Sequence, residues 1–552
     1  MHTPRRLVVI RKFPTLSFSG GALVGKAAGS RILQESAAWG FLAVLLSFCL
    51  WRGLLSIQGV SYPPDEDLIR DVGFIQTILN GNLFGDPIYP GEARWDPPLA
   101  SVLGAAGAWV SGKPAAIFWV QAGPWLCLLP VLAVFMTARQ VFGLTAAVIS
   151  TTLFAFVNPA ISRPWMTGGY SPWPFASTIG IALFCLGLCA ILRAKRLRWR
   201  EALVVGGVCG VALLGHPMPA LILSACAAAA AVSIGGLRAW TIVWLATVAA
   251  VEIAVSLILF LPLIAQYGMH IQNTAPGAWM DWSLAVQFLP WTLRLLLQGL
   301  LAIAAIWAVS RGALSPHVVA VLAAWIIPCS AFLARHYACA ASGLQGVVCA
   351  PSSIPPNHAL LYLVLASTFL LGHAGAVVVQ GWLLRSHRGE PWRRLGLACS
   401  ALLLAFGLEV WQVQRASAYD QTFDPVTKLR ATGEKMDLAL YLWLLRDPIP
   451  EAVFATETSG SAAWAVYAAA QPLLGASATH ANPYVDVAPR EALRQRVLTS
   501  LTPSTQPCRE RDVVAYYVIL ENPAMASTAQ AEVVYRTDQH AVFRLRGGVC
   551  LD

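Results

Sequence analysis

Charged residues are scarce in this chain. Only 12% of its 552 residues are Asp, Glu, Lys or Arg, whereas 57% are hydrophobic. This charged fraction is about half that of an average soluble domain, so a soluble globular protein is excluded. Apolar runs of about 20 residues recur between residues 37 and 412, and each is long enough to cross a hydrocarbon core about 30 Å thick. The sequence therefore predicts an α-helical polytopic membrane protein.

Signatures of nucleotide-driven and zinc-dependent enzymes are also missing. No Gly-rich phosphate loop follows a predicted strand, and no His-Glu-x-x-His or Cys-x-x-Cys motif occurs. An ATP-driven pump or a zinc protease is therefore not indicated. The net charge of +10 does not indicate a nucleic-acid partner either, because the basic residues are grouped in short segments between apolar runs.

Acidic residues are concentrated in two regions. Seven of the 28 lie between Asp65 and Asp96, after the first apolar run, and most of the others belong to a polar C-terminal tail. The chain is thereby divided into a basic N-terminal segment (1–36), a transmembrane region (37–414) with an acidic loop (59–112), and the tail (415–552).

Basic residues set the orientation. Segment 1–36 carries six Lys and Arg before its first acid, Glu35, and positively charged segments stay in the cytoplasm. Segment 1–36 is therefore predicted to be cytoplasmic and the acidic loop extracytoplasmic. The next strong cytoplasmic marker is the basic cluster at 193–200, so an odd number of crossings separates it from the loop. Since four apolar segments lie between them, the shortest, 97–112, is predicted to be a juxtamembrane or re-entrant helix that does not cross.

Alternation of the remaining loops predicts about 11 crossings and places the tail outside a bacterial inner membrane. The predicted spans are 37–58, 115–138, 141–158, 174–193, 201–217, 218–236, 240–264, one ending near Arg311, 316–334, 358–384 and 395–412.

The tail combines helical and strand-like patterns. Its predicted elements are a helix at 432–446, strands at 452–456 and 513–520, and a closing hairpin of 533–535 with 541–545. Asn482-Pro483-Tyr484 marks a loop between its halves. These elements predict a small extracytoplasmic α/β domain.

Most cysteines have no predicted chemical role. Eight of the twelve lie in apolar runs, where a thiol acts as a small hydrophobic side chain. The other four lie in predicted extracytoplasmic segments, and they are compatible with two disulfides, Cys339–Cys349 and Cys508–Cys550.

The acidic loop begins with Tyr62-Pro63-Pro64-Asp65-Glu66-Asp67, close behind the first span. Apolar residues at 68, 72, 75, 78 and 79 then predict an amphipathic helix along the membrane surface, ended by Asn80-Gly81. The chain returns to the bilayer at Trp95-Asp96-Pro97-Pro98-Leu99. The acids are thus expected at the outer interface, at the depth of the lipid headgroups.

Carboxylates at that depth suit two chemical roles. One can act as a general base toward an acceptor hydroxyl while a lipid-linked group departs, or can hold a divalent cation against a phosphate. Asp65 and Asp96 are the candidate ligands of such a cation. The alternative is a solvated loop whose acids serve only the topology.

The order of these motifs resembles the GT-C integral membrane glycosyltransferases. An acidic pair behind the first transmembrane helix (Asp65-Glu66), an amphipathic helix, and Pro97-Pro98-Leu99 at the end of the loop are similar to the protein O-mannosyltransferases and the aminoarabinose transferases of lipid A. The resemblance covers roughly residues 37 to 112. It implies a GT-C-like fold and sugar transfer from a polyprenyl-phosphate donor.

The resemblance also implies roles for residues of the loop. It implies that Asp65 is the catalytic base, with Glu66 as its neighbour. The aminoarabinose transferases carry a basic residue just before Pro-Pro, where this chain has Asp96, so a phosphate-binding lysine is not carried over. Arg94 and Lys113 are candidates to contact the phosphate instead.

A lipid-linked phosphate at the outer leaflet needs cationic partners. The predicted topology makes Arg335, Arg163 and Arg294 available. Arg335, which neighbours His336 and Tyr337, is the first choice, and Arg163 the second. The alternative is that these arginines only extend their charge from span ends to the interface.

We therefore expect a membrane glycosyltransferase that acts on a hydroxyl of a glycan, lipid or protein acceptor in contact with membrane lipid. No cofactor is indicated beyond the alternative of a divalent cation. Two other functions stay open: a transporter or lipid flippase that uses Glu252 and Arg294 within the membrane, and a non-catalytic scaffold of the same fold. For Glu252, a neutral side chain hydrogen-bonded to a neighbouring helix is the simpler interpretation.

Overall fold

The computed structural model describes most of the chain. The described residues are 21–156, 169–273, 282–310, 314–342, 356–385, 399, 435–446, 449, 452–474, 480–499, 515–521, 524, 526–528 and 531–546.

Helices make up most of the described residues before the tail. In chain order they are α1 (Gly21–Ser56), α2 (Glu66–Leu79), α3 (Leu99–Ser111), α4 (Ala115–Leu126), α5 (Leu128–Phe142), α6 (Leu144–Phe156), α7 (Ala176–Arg193), α8 (Trp199–Gly215), α9 (Pro217–Gly235), α10 (Ala239–Tyr267), α11 (Trp282–Ser310), α12 (Pro316–Ser342) and α13 (Pro356–Arg385).

Seven helical stretches within the described residues are long and apolar enough to cross a membrane. They are Ile32–Ser56, Ala115–Phe142, Ala176–Arg193, Pro217–Gly235, Ala239–Tyr267, Pro316–Ser342 and His358–Gln380. The prediction of a helical multi-pass membrane protein is thereby confirmed. The number of 11 crossings stays a prediction, and apart from Cys399 the span expected at 395–412 lies outside the described residues.

The stretch predicted as spans 115–138 and 141–158 is divided differently. Helices α4 and α5 meet at Cys127 and together form the candidate span Ala115–Phe142. Gly143 then ends α5 with a φ of 90°, a conformation that glycine adopts without steric penalty, and α6 follows as a short apolar helix. The sequence pattern located this break a few residues too early because it follows hydropathy and not backbone conformation.

The tail forms a mixed sheet flanked by helices. Its elements are α14 (Leu438–Arg446), β1 (Ala452–Thr456), α15 (Ser461–Ala468), β2 (Leu473–Leu474), α16 (Ala488–Thr499), β3 (Ala515–Leu520), β4 (Ala531–Arg536) and β5 (Ala541–Leu545). The strand order is β2-β1-β3-β5-β4, with β1 parallel to β2 and β3 and with β5 antiparallel to β3 and β4. The predicted helix, strands and hairpin are confirmed, while β2, α15 and α16 carried no prediction.

The two faces of the sheet contribute to different cores. Phe454 and Tyr517 point to the side of α14 and α15, where their core continues into α2, α3 and α4. Ala455 and Val518 point to the opposite face, where the core includes Val497 of α16. Because one apolar core is shared by the tail and the acidic loop, the two pack as neighbours without a layer of solvent between them.

The amphipathic helix predicted after the acidic motif is confirmed as α2, but its apolar side is covered differently from the prediction. Leu68, Val72 and Ile75 are fully buried within the core shared with α3, α4 and the tail. Helix α15 approaches α2 closely at Gly73, where an added Cβ would lie 2.6 Å from Tyr467 Cδ1 and 2.7 Å from the Tyr467 carbonyl oxygen. An apolar stripe alone does not distinguish lipid from a protein partner, which is why the sequence predicted a membrane surface.

Replacing Gly73 by alanine should destabilise the contact between the tail and the loop. Alanine favours an isolated helix by about 1 kcal/mol, but the clash with the Tyr467 backbone should cost about 1–3 kcal/mol and outweigh this gain. We expect a lower midpoint of thermal unfolding in detergent for Gly73→Ala. The matched control is Gly207→Ala in α8, where a new Cβ meets no atom within 4 Å, and its midpoint should be unchanged or higher. Equal midpoints for both variants would contradict this prediction.

Candidate functional site

Asp65 marks the start of α2 and acts as its N-cap. Its backbone is extended, with φ −121° and ψ 141°, and its Oδ1 accepts a hydrogen bond from the backbone N–H of Asp67 at 3.1 Å. Asp is among the preferred N-cap residues, and the acids Glu66 and Asp67 in the first turn match the positive end of the helix dipole. The acidic motif therefore sets the first turn of α2 and leaves Asp65 half-buried at its tip.

Arg70 gathers three carboxylates of the loop. Its guanidinium donates to Asp67 Oδ1 at 2.9 Å and to Asp71 Oδ1 at 3.0 Å, and it lies 3.8 Å from Asp96 Oδ1. The guanidinium also lies 5.6 Å from the centre of the Trp95 ring. Arg70 thus joins the first turns of α2 to the Trp95-Asp96 end of the loop.

The three carboxylates differ in their protonation behaviour. Burial raises the pKa of Asp71 to about 7, although Arg70 acts against this shift. Burial likewise raises the pKa of Asp96, again partly offset by Arg70. For Asp67, burial is outweighed by Arg70 and by the hydrogen bond of His480, so its pKa is lowered. Arg70 and these three carboxylates form a charged centre. This centre keeps Asp67 ionised and favours proton uptake by Asp71 and Asp96.

Histidines from distant parts of the chain approach this centre. His480 Nε2 of the tail lies 3.5 Å from Asp67 Oδ1. His358, at the start of α13, interacts electrostatically with Asp67 and Arg70, and its ring lies 4.5 Å from that of His216. No sequence pattern connects these residues to the acidic loop. Only the position of Arg70 three residues after Asp67, on the same face of a helix, was a readable signal.

Glu66, the second acid of the motif, pairs with the tail. Its Oε1 lies 3.0 Å from Lys435 Nζ, and both side chains are about one-third exposed. Such an exposed pair contributes little stability, typically below about 1 kcal/mol. It nevertheless directs the Glu66 carboxylate toward the tail, so the structure places the two acids of the motif in different surroundings.

A second polar junction joins the loop, α10 and the tail. Asn482 donates to Asp86 Oδ2 at 3.1 Å and to the Ala93 carbonyl at 2.9 Å. Burial raises the pKa of Asp86 to about 6, although backbone N–H groups and Asn482 act against this shift. Tyr267, in the last turn of α10, donates to Glu92 Oε2 at 2.7 Å, and Arg490 of α16 donates to Glu92 Oε1 at 2.8 Å.

The other candidate cations of the loop lie in different environments. Arg94 is buried and donates to the carbonyls of Asp96 and Leu83 and to Ser101 Oγ. These contacts hold the loop on the start of α3 and direct Arg94 into protein. Lys113 is exposed between α3 and α4 and donates to Gln121.

The candidate residues of the membrane region lie on three helices, with Glu252 on α10, Arg294 on α11 and Arg335 on α12. Arg335 is half-buried on α12, whereas Arg163 lies outside the described residues. Glu252 of α10 accepts a hydrogen bond from Ser224 of α9, at 3.0 Å and 2.9 Å to its two oxygens, as the simpler interpretation predicted.

Cys339 is disulfide-bonded, while Cys349, Cys508 and Cys550 lie outside the described residues.

The residues expected to hold a divalent cation are engaged otherwise. Among the described residues, no group of three or more His, Cys, Asp or Glu side chains is arranged to hold a metal ion. Asp65 accepts a helix-capping hydrogen bond, and Asp96 faces Arg70. The present geometry of the loop therefore does not fit a resident metal.

Comparison with solved structures identifies the fold. The structure of ArnT from Cupriavidus metallidurans bound to undecaprenyl phosphate matches with a TM-score of 0.52 at 15% sequence identity, over 93% of this chain and 99% of that chain. The apo structure of the same protein matches with a TM-score of 0.53 at 14% identity, over 94% and 100%. This chain has the GT-C fold. The resemblance inferred from Asp65-Glu66 and Pro97-Pro98-Leu99 is thereby confirmed at the level of the fold.

Other comparisons add little to the GT-C assignment. The apo oligosaccharyltransferase from Archaeoglobus fulgidus matches with a TM-score of 0.47 at 12% identity, over 86% of this chain and 69% of that chain. No protein-family profile and no curated protein matches the sequence.

Replacing Asp71 by asparagine should change how stability depends on pH. Since the pKa of Asp71 is raised to about 7 in the folded protein, the folded state binds more protons than the unfolded chain between about pH 4 and 7. Stability supplied by the protonated carboxyl is therefore lost as the pH rises through 7. The asparagine side chain cannot ionise, so the unfolding midpoint of Asp71→Asn relative to wild type should increase from pH 5 to pH 8.

The exposed Asp486 provides the control for this measurement. Asp486→Asn makes the same chemical change near the start of α16, where Asp486 Oδ1 accepts a hydrogen bond from Ala488 N–H. Its midpoint relative to wild type should stay constant over the same range. A difference for Asp71→Asn that is flat or decreases toward pH 8 would show that burial does not hold a proton on this carboxyl.

Proposed function

We propose that this protein is a membrane glycosyltransferase that moves a sugar from a polyprenyl-phosphate donor to the hydroxyl of an acceptor. The observation that carries the proposal is the position of Asp65 within a GT-C fold. Asp65 follows the first candidate span, Ile32–Ser56, and lies at the tip of α2. The tail packs against the same loop. The similarity of fold to the ArnT structure extends over 93% of the chain.

Asp65 is assigned the role of general base. In the proposed inverting transfer, the acceptor oxygen bonds to the anomeric carbon of the sugar while the bond from that carbon to the phosphate oxygen breaks. The Asp65 carboxylate takes the proton of the attacking hydroxyl, and the polyprenyl phosphate leaves with the bonding electrons. Its position as N-cap limits the rotation of the side chain, which is the kind of preorganisation that a general base needs.

The leaving phosphate requires stabilisation by cations. Arg335 on α12 is our first candidate for this role and Arg163 the second. Arg94 and Lys113 are weaker candidates, because Arg94 donates into the protein interior and Lys113 donates to Gln121. A lipid-linked donor is supported by the ArnT structure, which contains undecaprenyl phosphate. The acceptor is proposed to be a glycan, a lipid or a protein.

The reaction is proposed to take place on the extracytoplasmic side of a bacterial inner membrane. Segment 1–36 would face the cytoplasm, and the acidic loop and the tail the opposite side, as the distribution of Lys and Arg indicates. A lipid-linked donor suits this side, because the transfer then needs no nucleotide sugar outside the cytoplasm.

The assignment of the base is tested by separating its charge from its capping role. Asp65→Asn keeps an N-cap acceptor but cannot take a proton, so transfer should fall by about 100-fold or more, the usual range for general-base loss, with the unfolding midpoint near that of wild type. Asp65→Ser should give the same result. The measurement is release of free polyprenyl phosphate from a polyprenyl-phosphate-sugar pool by the full-length protein in liposomes.

The matched control is again Asp486→Asn, which should transfer at the wild-type rate. Wild-type transfer by a well-folded Asp65→Asn would remove Asp65 as the base. A loss that appears only in Asp65→Ala, together with a lowered midpoint, would show that Asp65 serves only as a helix cap.

The orientation is tested by labelling single cysteines from outside the cell. Lys113→Cys lies beside the acidic loop and Lys195→Cys in the basic cluster, and both positions are exposed. A membrane-impermeant maleimide added to spheroplasts should label Lys113→Cys above the wild-type background. Lys195→Cys should react only after permeabilisation. The reverse pattern would place the acidic loop in the cytoplasm and contradict the proposed chemistry.

A further inference from the structure

The centre of the acidic loop holds three carboxylates around a single cation. Asp67 and Asp71 belong to consecutive turns of α2, and Asp96 comes from the far end of the loop, yet all three lie within 3.8 Å of the Arg70 guanidinium. Asp71 and Asp96 expose only 4% and 13% of their side chains, whereas Asp67 exposes 34%. Carboxylates brought together with so little water repel one another unless a cation lies between them.

A hard divalent cation is the usual partner of such an oxygen-rich cluster. Ca²⁺ accepts six to eight oxygen ligands in flexible geometry, and carboxylates such as those of Asp67, Asp71 and Asp96 are the type of ligand that it takes. In this protein the guanidinium occupies the position between these carboxylates. Arg70 offers a planar fork of donors that contacts two carboxylates at once, which a single ammonium group does less well.

The surroundings of Arg70 hold its guanidinium in place. The guanidinium faces the Trp95 ring, and Nε is buried without a hydrogen-bond partner among the described residues. Its two terminal nitrogens make the ion pairs, so the polar partners of Arg70 among the described residues are carboxylates. This arrangement positions the guanidinium over the carboxylates and away from bulk water.

We propose that Arg70 is the resident cation of the acidic loop: its guanidinium takes the place of a divalent metal ion and, as a positioning residue, keeps the tip of α2 aligned with the Pro97-Pro98-Leu99 end of the loop. The catalytic consequence rests on the proposed function and is that transfer requires no divalent metal. The replacement of a metal ion by Arg70 is a property of the folded protein and can be measured without any activity.

The test measures thermal unfolding of the full-length protein in detergent, with EDTA or with millimolar CaCl₂. The wild-type midpoint should not respond to Ca²⁺, because the Arg70 guanidinium already occupies the position between the carboxylates. Arg70→Ala should unfold at a lower temperature in EDTA and should regain several degrees in CaCl₂, because Ca²⁺ binds the folded state and shifts the equilibrium by mass action. Arg70→Gln serves as a second neutral variant that keeps more of the side-chain volume.

Two further variants separate a cation site from general stabilisation by calcium. Arg70→Lys keeps a positive charge in the cluster and should show no Ca²⁺ response. Arg70→Ala combined with Asp71→Asn lacks one ligand and should lose most of the response of Arg70→Ala. The proposal is overturned if the wild-type midpoint rises with Ca²⁺ as much as that of Arg70→Ala, or if folded Arg70→Ala and Arg70→Gln show no response.

The activity measurement addresses the catalytic consequence separately. Wild-type release of polyprenyl phosphate should be equal in EDTA and in MgCl₂ or CaCl₂. Loss of release in EDTA with recovery on adding metal would overturn metal independence. If no release occurs under any condition, the proposed function fails, while the calcium response of the Arg70 variants still decides whether Arg70 takes the place of a metal ion.

Discussion

The ion pairs of Arg70 are the interaction on which the arrangement of the acidic loop depends. They join two turns of α2 to the segment that leads into α3, so one guanidinium closes the acidic loop on itself. Charged groups that are largely removed from water are tolerated only when opposite charges meet with good hydrogen bonds. Because Asp65 is the N-cap of α2, the contacts that hold α2 also fix the residue to which we assign proton abstraction.

The concentration of acids in the loop has a structural explanation beyond topology. Four loop acids contact a polar partner from the tail: Glu66 with Lys435, Asp67 with His480, Asp86 with Asn482, and Glu92 with Arg490. Asp71 and Asp96 contact Arg70, and Asp65 caps α2. A merely solvated loop needs none of these partners. The acids therefore specify how the tail docks, and the shared apolar core supplies the contact area on which these polar pairs are arranged.

Local features of this structure were readable from the sequence, and long-range pairings were not. The helix after Asp65 and the strand Ala452–Thr456 follow from periodicity, which depends only on neighbouring residues. The contacts of Asp67 with His480 and of Asp86 with Asn482 join residues hundreds of positions apart, and no local pattern encodes them. The partner of the α2 apolar face was likewise unreadable, because burial against α15 and burial in lipid select the same residue types.

The charge distribution of the loop constrains where the donor phosphate can lie in the proposed reaction. With Asp67 ionised and Asp71 and Asp96 sharing a tendency to hold protons, the Arg70 cluster carries no surplus of positive charge to attract a phosphate. Cations for the leaving group must then come from other elements, such as Arg335 on α12. An inverting displacement places the attacking hydroxyl and the leaving phosphate on opposite sides of the anomeric carbon. In the proposed reaction, a base on the loop and cations supplied by other helices would be compatible with that requirement.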